Sequence, residues 1–492
     1  MNLESIPNLK IQSKLFLFIL ITIVTCSDNY IVMFKRKKNA YGIASHEVQA
    51  NNIMKSQQHF SEGDEIHNYV SNGYVASLNP STVEKLKADE NVQVVEKDKM
   101  MRIADFNLSD YRKKEEITLN EFIMADFNLS NDKIFDDGLF GNKNMFSDDK
   151  ILIERQYDAP WGLSRVTGLE FMKKHIFLYP SNSGENVEVY VIDTGIEVNH
   201  PEFQGRARWG TNLVEGSEDR DENGHGTHCA GVIGSKSYGL AKKANITAVK
   251  VLDKNGAGLI SRIISGIDFV IEEHEERLGL LYDIAKSKFI NEKLNVTTGV
   301  SEKIDQFIQK SDLFPKTVVN MSVGGGKSAA LNFALDYATS LGIHFSVAAG
   351  NDNQNACEYS PGSSNNSITT GASTQKDITA DFSNFGKCVD IYAPGVEILS
   401  TWNDKGTKFA SGTSMATPHT TGTMAMYLST SSYTPEELKN QILKDSQKSV
   451  KDSRESSFIS NIWPINKIFG SNKLPLLSIQ NLLYKIENEQ LN

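Results

Sequence analysis

Cysteine is scarce in this sequence, which has four in 492 residues. Cys26 lies in an apolar segment near the N-terminus, and the other three are Cys229, Cys357 and Cys388. Because three is an odd number, complete pairing within the rest of the chain is excluded. In an oxidising compartment, the simplest arrangement of the three is one disulfide and one free thiol.

Positive charge is also limited: 51 lysines and arginines stand against 61 aspartates and glutamates, which gives a net charge of −10. No strongly basic face can dominate such a surface, which argues against nucleic acid as a partner. The remaining composition, with 39% hydrophobic and 23% charged residues, is ordinary for a globular protein. At this length, two or three separate segments are expected.

Long apolar runs are missing too, because the run at 15–24 has only ten residues and cannot cross a bilayer core as a helix. It follows Lys10 and Lys14 and ends in the small and polar residues 25–27. This layout is typical of a secretory signal, so residues 1–27 are predicted to be a cleaved signal peptide. The alternative is a membrane anchor or a buried strand. No other stretch could anchor the chain, which predicts a protein that is secreted or kept within the secretory or vacuolar system.

Residues 28–103 have the pattern of a small α+β unit. Strand-like runs occur at 30–35, 72–78 and 91–98, with helices predicted over 46–59 and 80–90. Ser81 and Glu84 fit a capping box for the second helix. An acidic stretch, 104–150, follows and contains ADFNLSD at Ala104 and ADFNLSN at Ala125. Two copies are too few for a solenoid, so this stretch is predicted to be a spacer without chemistry.

Residues 151–492 alternate β-branched runs with helical stretches. The runs are nearly continuous in apolar residues, as in parallel strands covered on both faces. This alternation predicts an α/β sandwich with a mostly parallel sheet. The strands are expected at 187–193, 245–253, 316–322, 344–351 and 367–372, and the helices at 260–275, 328–341, 414–430 and after Thr434.

Three short motifs stand out in this second part. Asp193 ends a predicted strand in VIDTGIEVNHPEF, His225 opens HGTHCAG at the start of a helix, and Ser414 lies in SGTSMATPH at a helix N-terminus. A serine hydroxyl becomes a useful nucleophile only when an imidazole accepts its proton, and that imidazole needs a carboxylate to hold its tautomer. Strand ends and helix starts meet at one rim of a parallel sheet, where such proteins place their sites.

Each motif alone has an ordinary explanation as a turn or a loop, but their conjunction in the order Asp, His, Ser predicts a catalytic triad. No G-x-S-x-G elbow surrounds Ser414, which argues against an α/β-hydrolase. A fourth element is AAGN, in which Asn351 follows a strand. Its side-chain amide could donate a hydrogen bond to a developing oxyanion beside the main-chain N–H of Ser414.

With these motifs the chain resembles the subtilisin-type serine proteases, and within them the proteinase K-like branch. The resemblance extends from APWGL at 159–163 through VLDKNGAG, NMSVGG and AAGNDN to GTSMATPH. It implies a three-layer α/β catalytic domain, preceded by a ferredoxin-like propeptide that acts as intramolecular chaperone and inhibitor. The activity it implies is self-processing endopeptidase action on polypeptide substrates, with broad specificity and a preference for apolar P1 residues. A monomer is expected.

The resemblance also assigns roles to individual positions. Two strands would hold the substrate main chain by β-augmentation; their residues are Gly256, Ala257 and Gly258 on one side and Ser322, Val323 and Gly324 on the other. Cys357 and Cys388 match a disulfide, and Cys229 matches a free thiol under the histidine. No cofactor is needed for the chemistry, but Asp390 matches a ligand of a structural calcium, completed by main-chain carbonyls near Asn365 and Ser367.

Several alternatives stay open at this stage. A zinc site at His225, His228 and Cys229 competes with the triad, and a catalytically dead subtilisin fold with a binding function competes with the enzyme.

Residues 271–317 exceed the usual length of this segment and are expected to form a helical surface insertion. The maturation cut could fall near 100–105 or near 151–156.

Overall fold

The computed structural model describes residues 28–35, 46–70, 72–103, 151–291, 314–454 and 474–491. The predicted signal peptide and the acidic spacer lie outside the described residues. The remainder forms a small N-terminal unit and a large α/β unit, and the last strand of the small unit is inserted into the large one.

The N-terminal unit is an antiparallel four-stranded sheet with strand order β2-β3-β1-β4. Its order along the chain, β-α-β-β-α-β, is that of the ferredoxin-like fold, which confirms the predicted architecture. Phe34, Tyr74 and Leu86 are among the buried residues between its sheet and helices. The elements are β1 (Asp28–Phe34), α1 (His46–Gln57), β2 (Glu65–Val70), β3 (Gly73–Leu78), α2 (Pro80–Ala88), β4 (Val92–Lys97) and, beyond the sheet, β5 (Met100–Ile103).

The start of α2 differs from the prediction. The helix begins at Pro80 with Asn79 as its N-cap residue, and no side chain caps it, so the capping box at Ser81 and Glu84 is wrong. The fixed φ of proline suits the first helical position, and this places Ser81 inside the helix instead of before it.

The α/β unit contains a nine-stranded sheet within the described residues, in the order β20-β21-β17-β16-β14-β12-β8-β10-β9. Every neighbouring pair is parallel except β20 with β21, which confirms the mostly parallel sheet. The strands of the unit are β6 (Ile153–Gln156), β7 (Phe177–Pro180), β8 (Val187–Asp193), β9 (Ala207–Asn212), β10 (Asn245–Lys250), β11 (Ala257–Leu259), β12 (Lys316–Met321), β13 (Val323–Gly326), β14 (His344–Ala348), β15 (Tyr359–Ser360), β16 (Ile368–Ser373), β17 (Ile391–Pro394), β18 (Ile398–Thr401), β19 (Thr407–Ala410), β20 (Gln447–Val450) and β21 (Leu474–Leu476).

Helices cover both faces of this sheet, which gives the three-layer sandwich. One apolar core joins the sheet to α5 and α8, and the other joins it to α6 and α7. The helices are α3 (Trp161–Thr167), α4 (Leu169–Met172), α5 (His225–Gly234), α6 (Ile260–Asn291), α7 (Ala329–Ser340), α8 (Thr413–Thr430), α9 (Pro435–Asp445) and α10 (Gln480–Leu491).

Helix α6 ends at Asn291, well beyond its predicted end at 275. It therefore forms the first part of the segment 271–317. Ile271 and His274 at the start of that segment are buried, and His274 lies 2.7 Å from the Thr317 hydroxyl. The surface-insertion interpretation is therefore wrong for these first turns, which pack against the sheet. Residues 292–313 lie outside the described residues.

Candidate active site

Asp193 and His225 meet at the carboxyl end of the sheet. Asp193 is the last residue of the fully covered strand β8, and both residues are almost completely buried. Its carboxylate oxygens lie 2.8 and 2.9 Å from Nδ1 of His225. One of them, Oδ1, also accepts a hydrogen bond from the Thr194 N–H. The carboxylate is thus placed to hold His225 in the tautomer that carries its proton on Nδ1.

The start of helix α5 is held in place by Asp221, which sequence reasoning missed. Its Oδ1 accepts hydrogen bonds from the N–H of Gly224 and the Thr194 hydroxyl, at 2.8 Å each. Its Oδ2 accepts from the N–H and the hydroxyl of Thr227. A carboxylate that satisfies free N–H groups at a helix start stabilises that end. Gly224 precedes the helix with φ +102°, and a Cβ there would collide with Trp402.

Ser414 is the second residue of α8 and is fully buried. Its hydroxyl donates to the main-chain oxygen of Ser322 at 3.1 Å, and the Ser322 hydroxyl donates back to the Ser414 oxygen at 2.9 Å. The Ser414 side chain is therefore fixed against the residue that precedes strand β13.

Cys229 lies between the histidine and the serine. Its Sγ is 4.0 Å from Nδ1 of His225 and 3.4 Å from the main-chain oxygen of Ser414. Burial raises the pKa of this thiol, which favours the neutral form and not the thiolate that binds metals. His228 points elsewhere, with Nε2 bonded to the main-chain oxygens of Ile398 and Lys408. Of the three residues of the alternative zinc site, His225 and Cys229 lie together but His228 is bonded elsewhere.

Asn351 has a fixed orientation because Thr413 holds its amide oxygen. Oδ1 of Asn351 accepts from the N–H and the hydroxyl of Thr413, at 2.9 and 2.8 Å. The main-chain N–H can only donate, so it determines which end of the amide is the oxygen. The amide N–H₂ is consequently the end that can serve an oxyanion next to Ser414. Thr413 is a positioning residue that sequence reasoning missed.

We expect Asn351→Leu to lower kcat by about 10²–10³-fold with little change in KM, because the amide acts on charge that develops only in the transition state. This range comes from subtilisin and is carried over to Asn351. Steady-state kinetics on a peptide substrate measure both constants. Asn182→Leu is the matched control, since Asn182 donates to Ser429 outside the cleft and its loss should leave kcat unchanged. A rise in KM at constant kcat would refute the oxyanion role of Asn351.

The predicted substrate strands lie on either side of β5. Strand β13 pairs with it antiparallel, with Val323 opposite Ile103 and Gly324 opposite Arg102. On the other side β11 pairs with it antiparallel, with Ala257 also opposite Arg102. In addition, the N–H of Ile103 donates to the main-chain oxygen of Gly256 at 2.9 Å. The chain's own residues 100–103 thus occupy the cleft as the central strand of a sheet.

Two acids just before β5 attach the N-terminal unit to helices of the large unit. Oε2 of Glu96 accepts from the N–H of Ala329 at 2.9 Å and its other oxygen accepts from the Ser328 hydroxyl, at the start of α7. Asp98 accepts from the N–H and hydroxyl of Ser261, at the start of α6. Carboxylates at helix N-termini interact favourably with the free N–H groups and the helix dipole.

Two parts of the sequence match known protein families. Residues 184–459, more than half of the chain, match the Subtilase family. This chain belongs to the subtilase family. Residues 29–104 match the Peptidase inhibitor I9 family, so the N-terminal unit is an inhibitor propeptide. The subtilase is a serine endopeptidase with a propeptide.

Three similar proteins illustrate how far the likeness extends. A subtilisin-like proteinase of Encephalitozoon cuniculi is 41% identical over 95% of this chain and 98% of its own length. A subtilisin-like serine protease of Rhodotorula mucilaginosa is 48% identical over 55% of this chain and 72% of its own. The crystal structure of a cold adapted subtilisin-like serine proteinase is 35% identical, with a TM-score of 0.51, and covers 65% of this chain and 98% of its own.

The subtilase has the disulfide implied by the resemblance. Cys357 and Cys388 are joined, with their Cα atoms 5.3 Å apart, and Cys229 is free and buried. The bridge links the short 3₁₀ turn Ala356–Glu358 to the segment before β17. It therefore fixes the loop after Asn351 against the sheet.

The residues that would complete a calcium site are present but are already engaged. The ammonium of Lys439 lies 3.0 Å from the Asn365 oxygen, 2.7 Å from the Ser367 oxygen and 2.9 Å from the Asp390 carboxylate. A calcium ion needs oxygen ligands at about 2.3–2.6 Å, so it would have to take the position of the ammonium. As arranged here, these residues do not fit a calcium ion.

Buried Lys250 is another residue near the site that sequence reasoning missed. Its ammonium donates to the main-chain oxygens of Thr194 and Leu252, at 2.7 and 3.1 Å, and burial lowers its pKa. Lys250 pairs in register with Asp193 across β10 and β8. Its side chain thus ties together the two strand ends that place Asp193.

Proposed function

We propose that this subtilase is exported as a zymogen and becomes a secreted endopeptidase of broad specificity that first cuts its own chain after Ala104. The observation that carries the proposal is strand β5, which lies between β11 and β13 and whose last residue, Ile103, pairs with Val323, the neighbour of Ser322. In the reaction Ser414 attacks the peptide carbonyl and His225 takes its proton. His225 later gives the proton to the leaving amine, while Asp193 orients the imidazole.

The register of β5 supports the position of the first cut. Val323 lies opposite Ile103 in an antiparallel pair, so the next residue of the propeptide would face Ser322. The Ser322 main-chain oxygen accepts from the Ser414 hydroxyl, which makes the residue after Ile103 the one whose carbonyl the serine would attack. Ala104 lies outside the described residues, and its role follows from continuing this register.

The alternative cut near 151–156 is less favourable for a first cleavage. Residues 153–156 form β6, which pairs antiparallel with β7 along its whole length. A protease must bind its substrate as a free extended strand, and β6 would have to leave β7 first. We therefore propose that the spacer remains attached to the large unit after the first cut.

The way in which the strand is held supports broad specificity. The pairing of β5 with both neighbours is between main-chain groups, which every residue type supplies. Of its side chains, Met100 and Arg102 are exposed, but Met101 is 1% exposed. Met101 belongs to the apolar core that also contains Val323. We propose that the subtilase prefers apolar residues at P1 and at the position of Met101, which is P4 if the cut follows Ala104.

The P4 preference can be measured with a peptide series that varies one position at a time. Replacing methionine by aspartate at P4 should lower kcat/KM by about 10–100-fold, because about 1.5–3 kcal/mol of side-chain burial is lost. An arginine-to-glutamate change at P3, the exposed position of Arg102, is the matched control and should have little effect. Equal losses at P4 and P3 would contradict this arrangement, and the absence of all hydrolysis would contradict the proposed function itself.

The destination and the partners are also proposed. The signal-like N-terminus supports export, and within the described ranges no helix is both long and apolar enough to span a membrane. We propose that the mature subtilase acts as a monomer on polypeptides and that its propeptide serves as chaperone and inhibitor. No cofactor is needed for the proposed chemistry, because the side chains themselves supply the nucleophile, the base and the oxyanion donor.

A further inference from the structure

Lys439 is bound as a cation inside a ring of oxygen atoms. Its ammonium contacts the main-chain oxygens of Asn365 and Ser367, and lies 2.9 Å from each carboxylate oxygen of Asp390. An ammonium group has three N–H donors, and three different residues accept them here. Both side chains of the ion pair are less than one-fifth exposed. This is the donor set of a hard cation, namely one carboxylate and two carbonyls.

The contacts join three separate parts of the large unit. Lys439 is on α9, Ser367 comes immediately before β16, and Asp390 comes immediately before β17. Asp390 also accepts from the N–H of Thr369 at 2.8 Å, so its carboxylate is bound on both sides. Burial raises the pKa of Asp390, and the Lys439 charge opposes that effect. The carboxylate therefore depends on a neighbouring positive charge.

The same segment continues towards the substrate cleft. Residues 361–367 connect β16 to β15, and β15 pairs with β13, the strand that holds the bound chain. The Ser363 hydroxyl accepts from Asn332 on α7 at 2.9 Å, and the Ser364 hydroxyl donates to Asp336 at 3.2 Å. The contacts of Lys439 at the end of this segment are thus connected through β15 to β13, which is one wall of the cleft.

We propose that Lys439 is a built-in cation that takes the place of a calcium ion, so that this part of the subtilase is stable without Ca²⁺. The lysine provides the charge that Asp390 needs and bonds the two carbonyls that a metal would otherwise bind. The proposal does not depend on catalytic activity or on the position of the maturation cut. If the lysine side chain is removed, the same oxygen atoms form a site that is open to Ca²⁺.

The test uses the full-length chain with Ser414→Ala, so that self-digestion does not affect the readout. Thermal unfolding is followed in EDTA and in millimolar CaCl₂. With Lys439 intact, the midpoint should be the same in both. Lys439→Ala should lower the midpoint in EDTA by roughly 5 °C, because a largely buried carboxylate loses its cation. CaCl₂ should restore at least half of that loss, and calorimetric titration with Ca²⁺ should detect a site that the parent protein lacks.

Three matched variants separate this effect from a general loss of stability. Lys439→Met keeps the volume without the charge, and should be destabilised without recovery in CaCl₂. Asp390→Asn added to Lys439→Ala should abolish the calcium response. Lys444→Ala, which removes an exposed lysine on the same helix, should behave as the parent. The proposal is overturned if Lys439→Ala unfolds at one midpoint in both solutions. It is equally overturned if the parent gains stability from Ca²⁺ and Asp390→Asn removes that gain.

Discussion

Ser414→Ala is expected to lower kcat for peptide hydrolysis by about 10⁶-fold, the size of effect known for the nucleophile of subtilisin itself. The change removes the only atom that can form the acyl-enzyme, while Asn351 and the cleft strands remain. The fold should hardly be affected, because the hydroxyl donates to the Ser322 oxygen and such a bond contributes about 1 kcal/mol. Kinetics together with the thermal midpoint measure both effects.

Ser411→Ala is the control for this variant. Ser411 is equally small and buried, and its hydroxyl accepts one hydrogen bond from the N–H of Glu397 at 2.8 Å. Its loss should cost similar stability and leave hydrolysis within a few-fold of the parent, on the scale of an ordinary hydrogen bond. If Ser411→Ala and Ser414→Ala lost activity to the same extent, the assignment of the nucleophile would be wrong.

Asp193→Asn should lower kcat by about 10⁴-fold at nearly constant KM. The Thr194 N–H donates to Oδ1 of Asp193 and would keep the amide oxygen of the new asparagine in that place. The amide N–H₂ would then face Nδ1 of His225, the atom that lies 2.8–2.9 Å from the Asp193 carboxylate oxygens in the parent. A donor there favours the tautomer with the proton on Nε2, which cannot accept the proton of Ser414.

Asp445→Asn is a matched control for the loss of a buried carboxylate. Asp445 accepts from the hydroxyl of Tyr427 at 2.7 Å and lies outside the cleft. This variant should lose stability only, so its kcat at a temperature where it is folded should equal that of the parent. If Asp193→Asn kept more than about one-tenth of the parent's kcat, the loss would be far smaller than a wrong tautomer causes. Asp193 would then not be the residue that orients the histidine.

The central strands were predictable because their signals are local. Strand Val187–Asp193 has the predicted bounds, since a parallel strand covered on both faces needs an apolar run that ends where the chain turns. Helix α9 also begins where predicted, directly after Thr434, and the Thr434 and Glu437 side chains form a capping box over its first turn. In each case, neighbouring residues carry the whole interaction.

Edge elements could not be predicted in the same way. Strand β2 (Glu65–Val70) is mostly exposed and lies at the edge of the propeptide sheet, so it has no apolar alternation and depends on pairing with β3. Helix α6 also continues past its predicted end, because His274 and Arg277 both reach Thr317 on β12. A polar side chain gives no sign in the sequence that it will be buried against a distant strand.

Contacts between distant positions were missed for the same reason. Lys439 is 72 and 74 residues away from the two carbonyls that it bonds and 49 residues away from Asp390. Nothing in the helix pattern of α9 distinguishes it from an ordinary exposed lysine. Asp221 is separated by 27 residues from Thr194, and its role appears only when the end of β8 and the start of α5 are brought together.

The most direct test of the account is N-terminal sequencing of the wild-type and Ser414→Ala chains expressed side by side. The account predicts a wild-type product that begins at Asp105, and a Ser414→Ala precursor that is folded but not cut at that bond. Identical cutting of the two chains, or a folded wild type that neither cuts itself nor hydrolyses peptides, would contradict a self-processing endopeptidase.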